Sequence, residues 1–315
     1  MSSAGQFQSN ITVGISLPGR VALCIITSVP CCVFLYINAT LLYVLRSKPV
    51  LRETPRYILL FNLLSADTVL MFLSQFLYIL NACRIRLTYP VCGAVVMPTI
   101  LTHEISPLIL VVMSLERFVA VCHPFRHATI ATIRNTGRAV ILVWVFSSLN
   151  VLIQVTLMLQ FPFKDLDTLQ MTKLCSTYSI LTLPISKLYE KVLKYFLLVV
   201  AAVVITSSYI GVVIAARSAS TDKASAQKSR NTLLLHLVQL GLTLLSTLNS
   251  PMLTALSEVL TGVVVVLIQV VLYVFTVIFP RCLSSLIYGI RDQTIRPLLM
   301  YHLCFHIIFR RFFKG

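Results

Sequence analysis

VALCIITSVPCCVFLYINATLLYVL, residues Val21 to Leu45, runs for 25 residues without an Asp, Glu, Lys or Arg. About 20 apolar residues in a helix span the hydrocarbon core of a bilayer, so this stretch is long enough to cross one. Ala139 to Phe163, Tyr195 to Ala216 and Val259 to Pro280 are equally free of those four residues. Three further stretches carry small blemishes: Tyr57 to Cys83 holds Asp67, Leu87 to Leu115 holds His103 and Glu104, and Asn231 to Ser257 holds His236. The sequence therefore predicts an all-α membrane protein with seven spans, since lipid offers backbone amides no water and only helices satisfy them within a single segment. The composition agrees: 57% of residues are apolar and 11% charged, against about 45–50% and about 25% in soluble domains.

The net charge of +16 does not point to nucleic acid, because the cations are spread through short loops between spans instead of clustering in one soluble unit. They sort by side. One set of loops carries Arg46, Lys48, Arg52 and Arg56, then Arg117, Arg126, Arg134 and Arg138, then Arg217, Lys223, Lys228 and Arg230, and a tail with Arg291, Arg296, Arg310, Arg311 and Lys314. The other set, with Arg20, Arg84, Arg86, Lys164, Lys173, Lys187, Lys191 and Lys194, is poorer. Cytoplasmic loops are the richer in Lys and Arg, so the N-terminus is expected outside. The expected division is an outer tail over 1–20, a seven-helix domain over 21–288 and an inner tail over 289–315. Met1 to Gly19 has neither a basic start nor an apolar core, so span one is expected to serve as the targeting signal. Asn10-Ile11-Thr12 is then an outward glycosylation sequon.

Of the nine cysteines, Cys83, Cys92 and Cys175 are expected on the oxidising side. A bridge from Cys92, at the start of span three, to Cys175 would pin the long outer loop, Phe161 to Glu190, across the helix mouths. The residues alone leave Cys83 open as a partner. Ser218 to Arg230 reads as a solvated inner linker. Gly289 to Met300 mixes charges with apolar residues and suits a short helix on the membrane surface, with Pro297 expected to interrupt it.

Acids at bilayer depth cost about 2.5–3.5 kcal/mol on insertion scales, which makes Asp67 and Glu104 the informative exceptions. The structural alternative is a carboxyl held by hydrogen bonds within the bundle. The strongest motif is Leu115-Glu116-Arg117-Phe118-Val119-Ala120-Val121-Cys122-His123-Pro124-Phe125-Arg126-His127 at the inner end of span three. It resembles the acid-Arg-aromatic motif of rhodopsin-like G-protein-coupled receptors in its odorant-receptor form. Asn38, Leu64-Ser65-Ala66-Asp67, Trp144, Ser208-Tyr209, the Lys228, Thr232 and His236 set, and Pro280 to Asp292 resemble further landmarks, the last especially those of fish-type odorant receptors. There are departures. Ser284-Ser285 stands where the family carries Asn-Pro, so the span-seven proline kink is expected to be absent; span six lacks the common Trp and Pro; and the outer loop has one cysteine where many odorant receptors have three.

The resemblance implies a plasma-membrane receptor in which a small-molecule odorant binds between the helices and a heterotrimeric G protein engages the inner face. It implies a Cys92–Cys175 bridge with Cys83 free. It makes Glu116, Arg117, Tyr209 and Tyr288 the inner switch, with Arg117 paired to Glu116 when closed and released toward Tyr209 and Tyr288 when open. Asp67, with Asn38, Ser106 and Ser284, resembles the family's sodium pocket, so Na+ is the one cofactor implied. His103 and Glu104, about three and a half turns outward of Arg117, are expected to line the ligand pocket with Thr99 and Ile100 and to favour polar, partly cationic ligands. Lys187, Lys191 and Lys194 are expected at its rim, snorkelling to water. Two other readings remain: a rhodopsin-like receptor for an amine, peptide or lipid, and a small transporter or channel, against which the absence of paired broken half-helices argues. No zinc helix, phosphate-cradling loop or nucleophile elbow suggests an enzyme.

Overall fold

A computed structural model describes residues 17–160, 170–171, 174–181, 183–218, 227, 230–238, 241–242, 262–291 and 294–302. Its helices in chain order are α1 (Leu17–Ser47), α2 (Pro49–Arg52), α3 (Pro55–Ala82), α4 (Tyr89–Cys122), α5 (Pro124–Ile130), α6 (Ile133–Leu159), α7 (Thr177–Ile180), α8 (Pro184–Ser218), α9 (Gly262–Tyr273) and α10 (Phe279–Arg291). A π-helical turn, Val274–Ile278, joins α9 to α10 without a break. Six helical runs among the described residues are long and apolar enough to cross a membrane. Of the span expected over Asn231 to Ser257, residues 231–238 and 241–242 are helical and the rest falls outside the described residues.

The helices outrun the uncharged stretches because their ends pass through the headgroup layer. The 31 residues of α1 make a rod of about 46 Å at 1.5 Å per residue, against a hydrocarbon core of about 30 Å. Local chemistry sets several ends. Proline opens α2, α3 and α5, at the position where its missing N–H costs nothing and its fixed φ favours the helix. The Thr132 hydroxyl caps α6 by accepting from Asn135 N–H at 3.2 Å, meeting one of the unpaired amides of the first turn. α3 ends in a Schellman turn. Ile85 N–H donates to Leu80 O and Arg84 N–H to Asn81 O, and Arg84 takes a left-handed φ of 56°, a place usually given to glycine.

Apolar residues cover the outside of this bundle as well as filling its core. α6 exposes Ile141, Leu142, Val145, Leu149 and Leu152 while burying Ser147, Asn150 and Gln154, so its apolar side faces lipid and its polar side faces other helices. α4 is central and packs on α3, α6, α7 and α8. Between spans the ties are polar. Gln75 donates to Thr27 Oγ1 at 3.2 Å and Ser28 Oγ at 2.9 Å and accepts from the Tyr273 hydroxyl at 3.3 Å, linking α1, α3 and α9. Trp144 donates to Asn62 Oδ1 at 3.2 Å, joining α6 to α3.

The last span is irregular despite the absence of Asn-Pro. Phe279 N–H reaches back five residues to Val274 O, and Pro280 follows immediately. The extra residue of a π turn rotates the face that follows by about 100°. Beyond α10, residues 295–302 are helical, with Ile295 and Leu299 buried in the main core and Arg296, Met300 and Tyr301 exposed. The expected surface helix is therefore present, but Pro297 does not interrupt it. The proline lies in the first turn, where no intrahelical partner awaits its N–H.

Candidate functional site

A cavity of about 70 Å³ opens between the outer halves of α4 and α8. α4 contributes Thr99, Ile100, His103 and Glu104, the four residues singled out from the sequence, which lie one helical turn apart on one face. Thr177 from α7 and Glu190 and Lys194 from α8 complete the lining. Glu104 is 7% exposed, and its Oε2 has no hydrogen-bond partner among the described residues. Lys194 Nζ lies 3.6 Å from Glu190 Oε1, one turn earlier on α8. The cavity thus holds two carboxylates and one ammonium, and the ammonium already faces one of the carboxylates. Lys187 and Lys191 are exposed, whereas Lys194, expected at the rim with them, lines the cavity itself.

The outer loop is fastened beside this cavity. Cys92 Sγ is bonded to Cys175 Sγ, with their Cα atoms 5.7 Å apart, while Cys83 is exposed and free. Thr88 and Gln170 form an antiparallel bridge, and Asn81 Nδ2 donates to Cys175 O at 3.1 Å. Met171, Cys175, Ile180 and Leu181 are buried with Leu77, Val96, Met97 and Ile100. That packing presses α7, and with it Thr177, against the outer end of α4.

Deeper in the bundle, Asp67 is fully buried. Its Oδ1 accepts from Ser106 Oγ at 2.6 Å and from Arg281 Nη1 at 3.3 Å. Ser106 was expected here; Arg281, itself 3% exposed, was not. Asn38 is buried on α1 and makes no side-chain hydrogen bond among the described residues. Ser284 lies on α10 with its side chain outside the described set.

At the inner end of α4, Arg117 Nε pairs with Glu116 Oε2 at 3.0 Å, and His127 Nε2 lies 3.5 Å from Glu116 Oε1. Phe118, next along the motif, packs on α8, where a Cβ at Gly211 would overlap its ring. Tyr209 is half-buried on α8, two residues before Gly211. The side chain of Tyr288, Lys228 and the sequon residue Asn10 fall outside the described residues.

An outer cavity beside a pinned loop, a buried carboxylate deeper in the bundle and an acid-Arg-aromatic motif at the inner end of the helix that lines the cavity are the arrangement of a signalling bundle. Residues 37–309 match the family described as 7 transmembrane receptor (rhodopsin family). The chain belongs to this receptor family. It is a multi-pass receptor of the plasma membrane and not an enzyme, and the described helices are parts of a seven-helix bundle. Odorant receptor 131-2 of Danio rerio is similar to it, with 28% identity over 271 residues, covering 86% of this chain and 82% of that one. Olfactory receptor 1078 of Rattus norvegicus is 30% identical over 130 residues, 40% of this chain and 38% of the relative. Olfactory receptor 7A17 of Homo sapiens is 33% identical over 116 residues, 35% and 37% of the two chains.

Three residues of this rhodopsin-family receptor escaped the sequence reading. Glu190 carried a signal, because a Glu four residues before Lys194 on a helix marks a pair. Arg281 carried one too, as the only cation between Val259 and Ile290. Thr177 carried none, since its place depends on the loop fold.

Proposed function

We propose that this receptor is activated by small odorant molecules that bind in the outer cavity of α4 and α8, and that it signals through a heterotrimeric G protein. The observation that carries the reading is the convergence of Thr99, Ile100, His103 and Glu104 on one cavity beside a disulfide-pinned loop. The names of the relatives support the odorant class. The preferred ligand bears an amine. Lys194 faces Glu190, and Oε2 of the buried Glu104 is without a hydrogen-bond partner among the described residues, so this carboxyl stands to gain from an incoming cation. The cavity volume of about 70 Å³ is enough for an ammonium group and its first carbons.

A ligand shifts the bundle only by its difference in affinity for two packings. Glu116 holds Arg117 in the resting one; release of Arg117 toward Tyr209 and Tyr288 opens the inner cleft to the G protein. The test is a cAMP assay of surface-expressed receptor against matched panels of amines and carboxylic acids, with Glu104→Gln and Lys191→Gln compared. Amine potency should fall about 10-fold or more in Glu104→Gln, the loss of one charge-assisted hydrogen bond worth about 1.5–3 kcal/mol. Unchanged potencies in Glu104→Gln, with acids weakened in Lys191→Gln, would show an anion-seeking pocket. Activity confined to peptides or lipids would refute the odorant reading.

A further inference from the structure

The resemblance to rhodopsin-like receptors implies a sodium ion beside Asp67, and the residues present do not fit one. Asp67 Oδ1 already accepts two donors, Ser106 Oγ at 2.6 Å and Arg281 Nη1 at 3.3 Å. The guanidinium is buried with the carboxylate, at 3% and 0% exposure, so the formal charges of the pair cancel. A sodium ion added here would leave one uncompensated positive charge in a site shut off from water, beside a like charge, where such a charge is costly. Asp67 Oδ2 and the Asn38 amide have no protein partner among the described residues, but filling those positions does not require a second positive charge beside Arg281.

The chain positions Arg281 by an identifiable device. The π turn Val274–Ile278 and Pro280 immediately precede it, and the rotation they impose changes which residue of the last span meets α3 and α4. We infer that Arg281 is the resident cation of the Asp67 site, and that this receptor is not controlled by sodium. An ion exchanges with the outer solution and leaves when the bundle repacks. An arginine does neither: it ties the last span to Asp67 on α3, which itself accepts from Ser106 on α4, in the packing described here, and any other packing must keep that pair or house both charges anew.

The test reads stability and surface level, independently of any ligand. Purified receptor is melted in sodium chloride and in choline chloride of equal concentration. Wild type should melt at the same temperature in both, whereas Arg281→Met, which leaves Asp67 without its partner, should melt higher in sodium. If Arg281→Met does not fold, surface level decides: Arg281→Met and Asp67→Asn should each lose it several-fold, while Arg281→Lys and the neutral double variant Asp67→Asn/Arg281→Met should recover it. Stabilisation of wild type by sodium that disappears in Asp67→Asn would overturn the inference. So would failure of the double variant to recover any level lost by Arg281→Met, since the arginine would then be needed for something other than Asp67.

Discussion

Replacing Gly211 by Ala sets two effects of opposite sign against each other at the helix pair that carries the arginine motif. Alanine is the better helix former by about 1 kcal/mol, and on an open face the substitution would stabilise α8. Gly211 is not on an open face: its new Cβ would overlap Cε2 of Phe118 and lie 2.9 Å from Cδ2 of the same ring. Overpacking of this kind costs about 1–3 kcal/mol, because an aromatic ring has no flexible end to withdraw. The net expectation is a loss of about 0–2 kcal/mol, a melting temperature unchanged or lowered by several degrees. Since Phe118 adjoins Arg117, whose Nε is 3.0 Å from Glu116, a displaced ring also disturbs that pair and should raise ligand-free signalling. The assay is thermal unfolding of the purified receptor in a cycle with Phe118→Ala, which empties the space the Cβ needs. The two changes should couple by about 1 kcal/mol or more in the direction of rescue. If Gly211→Ala alone melts higher than wild type and the cycle shows no coupling, the steric argument is wrong.

Arg84→Gly should raise stability by about 1 kcal/mol, because the left-handed φ of 56° costs an L-residue about 1–2 kcal/mol and glycine almost nothing; a melt decides it. Cys92–Cys175 closes a loop of 83 residues, worth about 4–5 kcal/mol in the chain-entropy model. Cys175→Ser should therefore abolish surface expression and Cys83→Ser should leave it intact, and peptide mapping that finds Cys83 in a bridge would contradict this. Arg117→Ala should abolish G-protein activation while ligand binding persists, because Arg117 lies 13 positions from Glu104, about 20 Å along α4. Normal signalling from a surface-expressed Arg117→Ala would refute its role.

Runs such as Val21 to Leu45 made the spans legible, because in lipid the length of an uncharged stretch is itself the structural constraint. The outer cavity was legible in part: on one continuous helix, spacing fixes which residues share a face, and Thr99, Ile100, His103 and Glu104, grouped on that ground, line one cavity. Arg281 was passed over for a physical reason. Its charge ended the apolar run at Pro280, yet a buried carboxylate makes a cation welcome inside the bundle, and α10 continues to Arg291. The π turn was illegible because Val-Phe-Thr-Val-Ile suits an α-helix equally well, and only packing selects the wider form. Pro297 was misjudged because its effect depends on where the helix begins, and residues 295–302 start their own helix.

The long sequence separations in the polar core bear on how the protein is made. Asp67 meets Arg281 across 214 residues, and Gln75 meets Tyr273 across 198. At about 5–20 residues per second of synthesis, the acid on α3 waits roughly 10–40 s in the endoplasmic reticulum before its counter-charge emerges from the ribosome. During that interval the half-made chain carries a carboxyl without its counter-charge among lipid or chaperone, and the final helix to be threaded is the one that neutralises it. Biogenesis therefore closes like a clasp, and a chain stalled before its last span displays the mark by which quality control can hold it back.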